Sequence, residues 1–160
     1  MKNLIGYISE YKLDDTERLQ WNDLFTTITK LFSLRSSCSK ARQSCLLIKD
    51  NRIISVGVNG APSGTINCME DGGEEACGKD SNGSCFLGIH AEQNAIGYAA
   101  RNGINTEGCI IYCTMTPCIS CAKLVVAAGI KEFHYIDEYR IDDGLRFLKY
   151  CDVPAWKIKI

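Results

Sequence analysis

The amino-acid sequence predicts an α/β protein, a three-layer α-β-α sandwich around a five-stranded mixed sheet, formed by one domain over residues 1–160. Three observations support this prediction. Apolar residues recur at helical spacing up to about residue 34. Two short apolar stretches with a turn between them follow, which is typical of a β-hairpin. From residue 90 onward, helical and strand-like stretches alternate, which favours parallel strands with helices packed on both faces of the sheet.

The predicted elements follow one another as helix, strand, strand, helix, strand, helix, strand, helix, strand. Asp14-Asp15-Thr16-Glu17 favours a helix N-terminus because it offers cap residues and first-turn acids, and this helix ends near Leu34. Asp50-Asn51 predicts the hairpin turn, while Asn102-Gly103 and Gly129 stop two later helices. The sequence predicts strands at 45–49, 53–58, 109–114, 133–136 and 155–160, and further helices at 90–101, 118–128 and 142–150.

Composition narrows the classes of protein to consider. A hydrophobic fraction of 46% and a charged fraction of 23% are those of an ordinary globular domain. The formal net charge of -1 gives no polybasic footprint and so disfavours a nucleic-acid partner. No apolar run reaches the length that spans a bilayer, and residues 1–10 lack a signal-peptide pattern. We therefore expect a cytoplasmic protein with no membrane partner.

Ten cysteines are many for a chain of this length. Thiols stay reduced inside cells, so metal binding is a more economical use of them than disulfides. Cysteines among apolar neighbours are expected to pack as small core side chains; these are Cys45, Cys109, Cys113 and Cys151. Cysteines in a polar context are candidate ligands of a second metal; these are Cys38, Cys68, Cys77 and Cys85.

The most informative pattern is His90-Ala91-Glu92 followed by Pro117-Cys118-Ile119-Ser120-Cys121. One imidazole and two thiolates are three zinc ligands, and this set leaves the fourth position open for a water that loses a proton near neutral pH. Glu92 is close enough to carry protons without being a ligand. This pattern is typical of zinc-dependent nucleobase deaminases. The alternative is a structural zinc knuckle with Glu92 as an ordinary helix residue, but the ligand set is one short of a closed site.

Three further stretches carry a resemblance to a family. They are Arg35-Ser36-Ser37-Cys38, the segment KDNRIISVGVNGAPSG at 49–64, and HAEQNAI at 90–96. Together with the zinc pattern they resemble the deoxycytidylate (dCMP) deaminases, within the wider cytidine-deaminase-like superfamily, over roughly residues 22 to 140. The resemblance implies the cytidine-deaminase-like fold and the hydrolysis of dCMP to dUMP and ammonia, which supplies dUMP for thymidylate synthesis.

The resemblance also implies roles for individual residues. His90, Cys118 and Cys121 match the zinc ligands, and Glu92 matches the proton shuttle. Other matched positions are expected to hold the nucleotide: Ala91 at the pyrimidine edge, Asn59 at the sugar, and Ser36, Lys40 and Tyr139 at the 5′-phosphate. For Lys40 the alternative is a solvated surface lysine, and for Asn59 it is a turn former before Gly60.

Further properties of the family concern metal, regulation and assembly. Some members hold a second, structural zinc, which here implies Cys38, Cys68, Cys77 and Cys85; the alternative is free thiols in a loop. Members are often homohexamers switched on by dCTP with Mg²⁺ and off by dTTP. The stretch from Gly60 to Gly64 matches the regulator site, with a plain turn as its alternative, and Arg101 matches a position near subunit contacts.

The chain departs from the family pattern at Gln43-Ser44-Cys45, where relatives often carry Val-Gly-Ala. Ser44 adds a side chain near the expected substrate pocket, which bears on the shape of the sugar and base site. Two other enzyme functions share the zinc pattern: deamination of free cytidine or deoxycytidine, and deamination of a base in tRNA. A non-enzymatic, zinc-stabilised protein that binds nucleotides or serves DNA uptake is a further alternative, which the intact Glu92 disfavours.

Overall fold

The computed structural model describes residues 18–38, 40–68, 78–81 and 85–158. The described chain forms, in order, α1 (Trp21–Ser33), β1 (Ser44–Lys49), β2 (Arg52–Val58), α2 (Ala91–Arg101), β3 (Ile110–Met115), α3 (Ile119–Ala127), β4 (Glu132–Asp137), α4 (Asp143–Tyr150) and β5 (Ala155–Lys157). This is the predicted element order. The bounds agree with the predicted ones to within three residues, except at the start of α1.

The five strands form one mixed sheet in the order β2-β1-β3-β4-β5. The β1–β2 and β1–β3 pairs are antiparallel, whereas β3–β4 and β4–β5 are parallel. The predicted antiparallel hairpin and the predicted parallel strands are therefore confirmed, and so is the mixed α/β sheet. The carboxyl end of β3 lies inside the sheet next to β1, which brings the chain after β3 close to the chain before β1.

The first helix of the described chain begins at Trp21. Residues 18–20 are not helical, and Gln20 has an extended backbone (φ -64°, ψ 145°) that caps a helix starting at Trp21. The start predicted at 14–17 lies outside the described residues. Asp23 supplies the acid in the first turn, and the Trp21 and Phe25 rings stack with centroids 5.4 Å apart. The first turn of α1 in the described chain therefore has an acidic residue and a stacked aromatic pair.

The hairpin turn follows from two polar residues with left-handed backbones. Asp50 has φ 49° and Asn51 has φ 57°. Positive φ at both central positions defines a type I′ turn, whose twist matches that of the flanking strands. Asp and Asn tolerate this region better than other residues with a Cβ atom. The register shifts between Leu47 and Ile48, which marks a bulge shortly before the turn.

Each face of the sheet has its own apolar core. Phe25 of α1 packs with Leu46, Ile48 and Tyr112 on one face, and all four side chains are buried. On the other face, strand residues pack against α2, α3 and α4; the buried members of this cluster include Cys45, Leu47, Ala95, Ile111, Cys113, Ala122, Val125, Phe133 and Leu148. Helices therefore cover both faces, as the sandwich requires.

The apolar-context cysteines behave largely as predicted. Cys45, Cys109 and Cys113 are buried in the core, whereas Cys151 follows α4 and is half-buried. Among the helices of the described chain, none is both long and apolar enough to span a membrane.

Candidate metal centre and active-site pocket

Both halves of the zinc pattern lie at helix N-termini. His90 caps α2 and Cys118 caps α3, each with an extended backbone, and Cys121 lies in the first turn of α3. The His90 N–H donates to Oε1 of Gln93 at 2.9 Å, which fixes the start of α2. Helix N-termini carry partial positive charge, which favours thiolate over thiol. Local helix geometry therefore holds the two candidate ligand groups in place.

The three predicted ligands meet at one point. Nδ1 of His90 lies 3.5 Å from Sγ of Cys118 and 3.3 Å from Sγ of Cys121. Zinc–nitrogen and zinc–sulfur bonds of about 2.0 and 2.3 Å at tetrahedral angles place N and S atoms about 3.5 Å apart. The observed separations match this geometry, so these residues fit zinc. No other group of three His, Cys, Asp or Glu side chains in the described chain has ligand atoms this close together.

Protonation within this trio is strongly coupled. The hydrogen bond with the Cys121 thiol is the largest cause that lowers the pKa of Cys118, and the same bond raises the pKa of Cys121. The hydrogen bond with Cys118 raises the pKa of His90. The protonation state of each of these three side chains therefore depends on that of the other two. Zinc binding displaces protons from such ligands.

Glu92 lies beside the trio but outside it. Its side chain is buried, with 8% of the residue exposed, and it lines the same pocket as His90 and Cys118. It is not part of the group of ligand atoms formed by His90, Cys118 and Cys121. Burial raises the pKa of Glu92, and this is the largest influence on it. A carboxyl group that is buried, off the metal position and basic enough to take a proton is suited to proton transfer.

The pocket next to the trio has a volume of about 170 Å³. It lies at the carboxyl end of β3, between that strand, the chain before β1 and the start of α2. Its walls are formed by Ala41, Gln43, Ser44, Asn59, His90, Ala91, Glu92, Cys113, Thr114, Met115, Thr116, Cys118 and Tyr139. Six of the predicted site residues therefore border one pocket: Asn59, His90, Ala91, Glu92, Cys118 and Tyr139.

Asn59 is held by the chain that precedes β1. Its Oδ1 accepts hydrogen bonds from the Ser36 hydroxyl at 2.6 Å and from the Gln43 N–H at 2.7 Å. Its Nδ2 donates to the Ala41 carbonyl at 2.8 Å. Both acceptor positions of the amide oxygen are used, while the amide nitrogen has a second N–H to offer. Asn59 therefore borders the pocket as a fixed hydrogen-bond donor.

The residues predicted at the phosphate occupy different environments. Ser36 is buried, and its hydroxyl is directed to Asn59 and to the Cys38 N–H at 3.2 Å, so it does not line the pocket. Lys40 is exposed and also lies off the pocket wall. Tyr139 borders the pocket, and its backbone N–H donates to the Thr116 hydroxyl at 2.7 Å.

The candidate second metal site is only partly within the described chain. Cys77 lies outside the described residues. Cys38 and Cys85 are half-buried and Cys68 is buried, but the described structure does not gather these three sulfurs into one compact group. The Sγ of Cys85 lies close to Gly88, two residues before His90. Residues 60 and 89 form an isolated antiparallel bridge, with N-to-O distances of 3.2 and 2.9 Å. The two ends of the cysteine-bearing segment therefore lie next to each other.

Three polar residues of the pocket were not predicted as site residues: Gln43, Thr114 and Thr116. The departure of Gln43-Ser44-Cys45 from the family pattern was the available signal for Gln43. The Ser44 hydroxyl donates to the Thr29 carbonyl of α1, so the added side chain is bound to the helix. Thr114 and Thr116 lie in an ordinary β-rich stretch, and only the topology that places β3 beside β1 brings them to the site.

Comparison with known proteins places this geometry in a family. The model of the cytidine and deoxycytidylate deaminase zinc-binding region matches residues 19–137. The chain belongs to this deaminase family. The match contains α1, both metal-binding blocks and the sheet through β4, so it includes every described residue of the candidate metal centre.

Curated relatives of the chain include ComE operon protein 2 of Bacillus subtilis, 36% identical over 78% of the chain and 63% of that protein. Deoxycytidylate deaminase of Schizosaccharomyces pombe is 37% identical over 78% of the chain and 39% of its own length. The human deoxycytidylate deaminase is 32% identical over 85% of the chain and 75% of its own length. The chain thus spans less than two thirds of the first two of these relatives.

One solved structure resembles this protein over most of its length. The dCMP deaminase of cyanophage S-TIM5, crystallised in complex with dCMP and dUMP, matches with a TM-score of 0.77 and 31% identity. The match covers 89% of this chain and 99% of the phage chain. The five-stranded sandwich is therefore the fold of this deaminase family.

Proposed function

We propose that this protein is a zinc-dependent hydrolase that deaminates dCMP to dUMP and ammonia, and so supplies dUMP for thymidylate synthesis. The observation that carries the proposal is the trio of His90, Cys118 and Cys121 at zinc-binding distances, with Glu92 buried beside it and outside the group of ligand atoms. Relatives named deoxycytidylate deaminase and the dCMP-bound phage enzyme support the choice of substrate.

His90, Cys118 and Cys121 would hold the zinc. When bound, zinc acts as a Lewis acid that makes a hydroxide nucleophile available near neutral pH. Glu92 accepts the proton of the attacking water, delivers it to N3 of cytosine and then helps to protonate the amino group that leaves C4. The sum is dCMP plus water to dUMP plus ammonia. Burial of Glu92 keeps the proton that it carries from exchanging with bulk water.

The remaining pocket residues bind the nucleotide in this proposal. Ala91 offers backbone groups to the pyrimidine edge, and Asn59 offers its second amide N–H to the sugar. Tyr139 and Lys40 hold the 5′-phosphate, with Lys40 as an exposed point charge that reaches in from the chain before β1. Ser36 acts through Asn59, because its hydroxyl donates to the amide oxygen of that residue.

A second zinc is part of the proposal, with Cys38, Cys68, Cys77 and Cys85 as its ligands. It is supported by the polar context of these cysteines and by the small number of large apolar residues with which their segment could hold itself in place. Elemental analysis of purified protein should give two zinc ions per chain, and one after Cys38→Ser. One zinc per chain in fully folded wild-type protein would contradict this second site.

Regulation and assembly complete the proposal. A nucleotide regulator, dCTP with Mg²⁺ as activator and dTTP as inhibitor, binds near Gly60 and Gly64 of a cytoplasmic homohexamer. Gly64 has φ 86°, and a Cβ atom on Gly60 would lie 2.7 Å from the Ser37 hydroxyl, so both positions favour glycine. Glycine-rich backbone can approach phosphates closely. In this proposal Arg101 contributes to a subunit contact.

The deciding experiment is an ammonia-release assay with dCMP, deoxycytidine, dCTP and an RNA hairpin, each with and without added dCTP and Mg²⁺. We expect turnover of dCMP that exceeds that of deoxycytidine by at least an order of magnitude. Faster turnover of deoxycytidine would favour a nucleoside deaminase, and turnover of RNA alone would favour a tRNA-editing enzyme. The absence of any ammonia from zinc-loaded protein would favour the non-enzymatic alternative.

A further inference from the structure

Gln43 is a pocket residue that the proposed chemistry does not use. It immediately precedes β1, it is half-buried, and it lines the pocket together with Asn59 and Glu92. It is also one of the residues at which the chain departs from the family pattern. Partial burial of a side-chain amide lowers the stability of the fold unless its polar atoms form hydrogen bonds.

The backbone of Gln43 is fixed against Asn59. The Gln43 N–H donates to Oδ1 of Asn59 at 2.7 Å, and the Gln43 carbonyl accepts from the Asn59 N–H at 3.1 Å. This pair of hydrogen bonds in opposite directions fixes the position of the Gln43 backbone relative to Asn59. The side chain of Gln43 therefore starts from a well-defined point beside Asn59.

The side-chain amide of Gln43 is oriented by Thr114. Oγ1 of Thr114 accepts a hydrogen bond from the Ser44 N–H at 3.1 Å, and its own proton goes to Oε1 of Gln43. The amide oxygen is thus turned toward β3. Because the oxygen and nitrogen lie on opposite sides of a planar amide, Nε2 with its two N–H donors is turned away from Thr114.

We propose that Gln43 is a specificity-determining residue, whose Nε2 donates a hydrogen bond to an uncharged oxygen of the nucleotide, either the sugar 3′-hydroxyl oxygen or the pyrimidine O2. This inference rests on the proposed function. The C4–N3 edge of the base must face the His90, Cys118 and Cys121 trio and Glu92. The oxygens left to face the other walls of the pocket are O2 and the sugar hydroxyl, and Gln43 is on such a wall.

The test compares the wild type with Gln43→Met, which keeps the length of the side chain and removes both polar atoms. The substrates are dCMP, 2′,3′-dideoxycytidine 5′-monophosphate, which lacks the sugar hydroxyl, and 2-thio-2′-deoxycytidine 5′-monophosphate, which lacks O2. We expect kcat/KM for dCMP to fall about three- to tenfold, the range of one hydrogen bond, mainly through KM. The loss should vanish for the substrate that lacks the acceptor, and this identifies the acceptor.

A second variant distinguishes a hydrogen bond donated by Gln43 to the substrate from a purely structural contact between Gln43 and Thr114. Gln43→Glu keeps an acceptor for Thr114 but has no N–H, and its charge acts on all three substrates alike, so it cancels in the ratio of their kcat/KM values. We expect Gln43→Glu to lose the same discrimination between substrates as Gln43→Met. The proposal would be overturned if Gln43→Met lowered kcat/KM equally for all three substrates, or if Gln43→Glu kept the wild-type ratios of kcat/KM between them. Either result would show that Gln43 only supports the pocket wall.

Calorimetric binding separates this inference from the proposed function. We would measure the Kd of dUMP and of 2′,3′-dideoxyuridine 5′-monophosphate for wild type and variants with matched zinc content and melting temperature. These Kd values show whether Gln43 contributes to binding, and they require no turnover. A Gln43-dependent Kd in a protein that releases no ammonia from dCMP would contradict the proposed activity alone. Kd values that are unchanged by Gln43→Met for both ligands, and turnover that is unchanged for all three substrates, would overturn the Gln43 proposal alone.

Discussion

Nδ1 of His90 lies 3.3 Å from Sγ of Cys121, although 31 positions separate the two residues in the chain. The approach is possible because α2 and α3 both start at the same edge of the sheet, with their N-termini directed to one point. A site built from two helix N-termini has backbone N–H groups and helix dipoles around it, which favour the anionic form of its sulfur ligands.

Glu92→Gln should retain zinc and lose turnover. The amide has nearly the shape of the carboxyl group but cannot accept the proton of water, and general acid–base catalysis contributes about 10²- to 10⁴-fold to a rate. Single-turnover assays with dCMP, alongside zinc analysis of the same sample, measure both effects. Turnover within threefold of the wild type would remove Glu92 from the mechanism.

Cys118→Ala should lose the metal of the trio and its activity. Two remaining ligands, His90 and Cys121, do not hold zinc tightly, since three protein ligands are the usual number for a catalytic site. Zinc content after dialysis against a mild chelator and the melting temperature provide the measurement. Cys151→Ala is the matched control, since Cys151 is half-buried after α4 and outside the trio. Equal zinc retention by the two variants would contradict the ligand assignment.

Gly57→Ala should destabilise the protein. A Cβ atom at Gly57 would lie 2.1 Å from the Ala91 carbonyl oxygen and 2.5 Å from the Ala95 nitrogen, so α2 would have to move away from β2. Forced repacking of this kind typically costs about 1–3 kcal/mol. Because Ala91 lies between His90 and Glu92, turnover should fall as well.

Gly97→Ala is the control for this substitution in the same helix. A Cβ atom at Gly97 meets nothing within 4 Å, and the residue is exposed on α2. Replacement of an exposed helical glycine by alanine stabilises by roughly 0.5–1 kcal/mol. Urea unfolding should therefore move in opposite directions for the two variants, and a stability of Gly57→Ala at or above the wild-type value would refute the close-packing argument.

Ser36→Ala should weaken nucleotide binding through Asn59. The Ser36 hydroxyl shares its proton between the backbone carbonyl and the amide oxygen of Asn59, at 2.7 and 2.6 Å, so its removal takes away one of the hydrogen bonds that orient the Asn59 side chain. Loss of one such hydrogen bond costs about 1 kcal/mol, which corresponds to a several-fold rise in KM. Thr65→Ala removes an exposed hydroxyl, one that donates to the Pro62 carbonyl, and should leave KM unchanged. Equal KM values for the two variants would show that Ser36 does not act on the site.

Much of the fold was predictable because its signals are local. Asp50-Asn51 determines a turn by its own backbone preferences, and Gly129, with φ 70°, ends α3 as a left-handed glycine. The metal ligands were predictable for a related reason, since each half of the pattern lies within five residues. Their proximity to each other followed from the resemblance, and the geometry of the trio agrees with it.

The rest depended on tertiary contacts that no short pattern carries. In the described chain α1 begins at Trp21, after the extended backbone of Gln20, whereas the start predicted at 14–17 lies outside the described residues. Ser36 was expected to face a phosphate, yet its environment is set by Asn59, 23 positions away. The role of Thr114 follows only from the β1–β3 pairing, which is long-range and antiparallel.

The bridge between Gly60 and Ile89 has a consequence for engineering. The two hydrogen bonds of this bridge hold the ends of the intervening stretch side by side immediately before His90. We therefore expect His90 to stay anchored when that stretch is replaced by a two-residue β-turn or by the corresponding stretch of a relative. Chimeras joined at these two positions would show which properties of the protein depend on the cysteine-bearing stretch and which depend on the sheet and helices around His90.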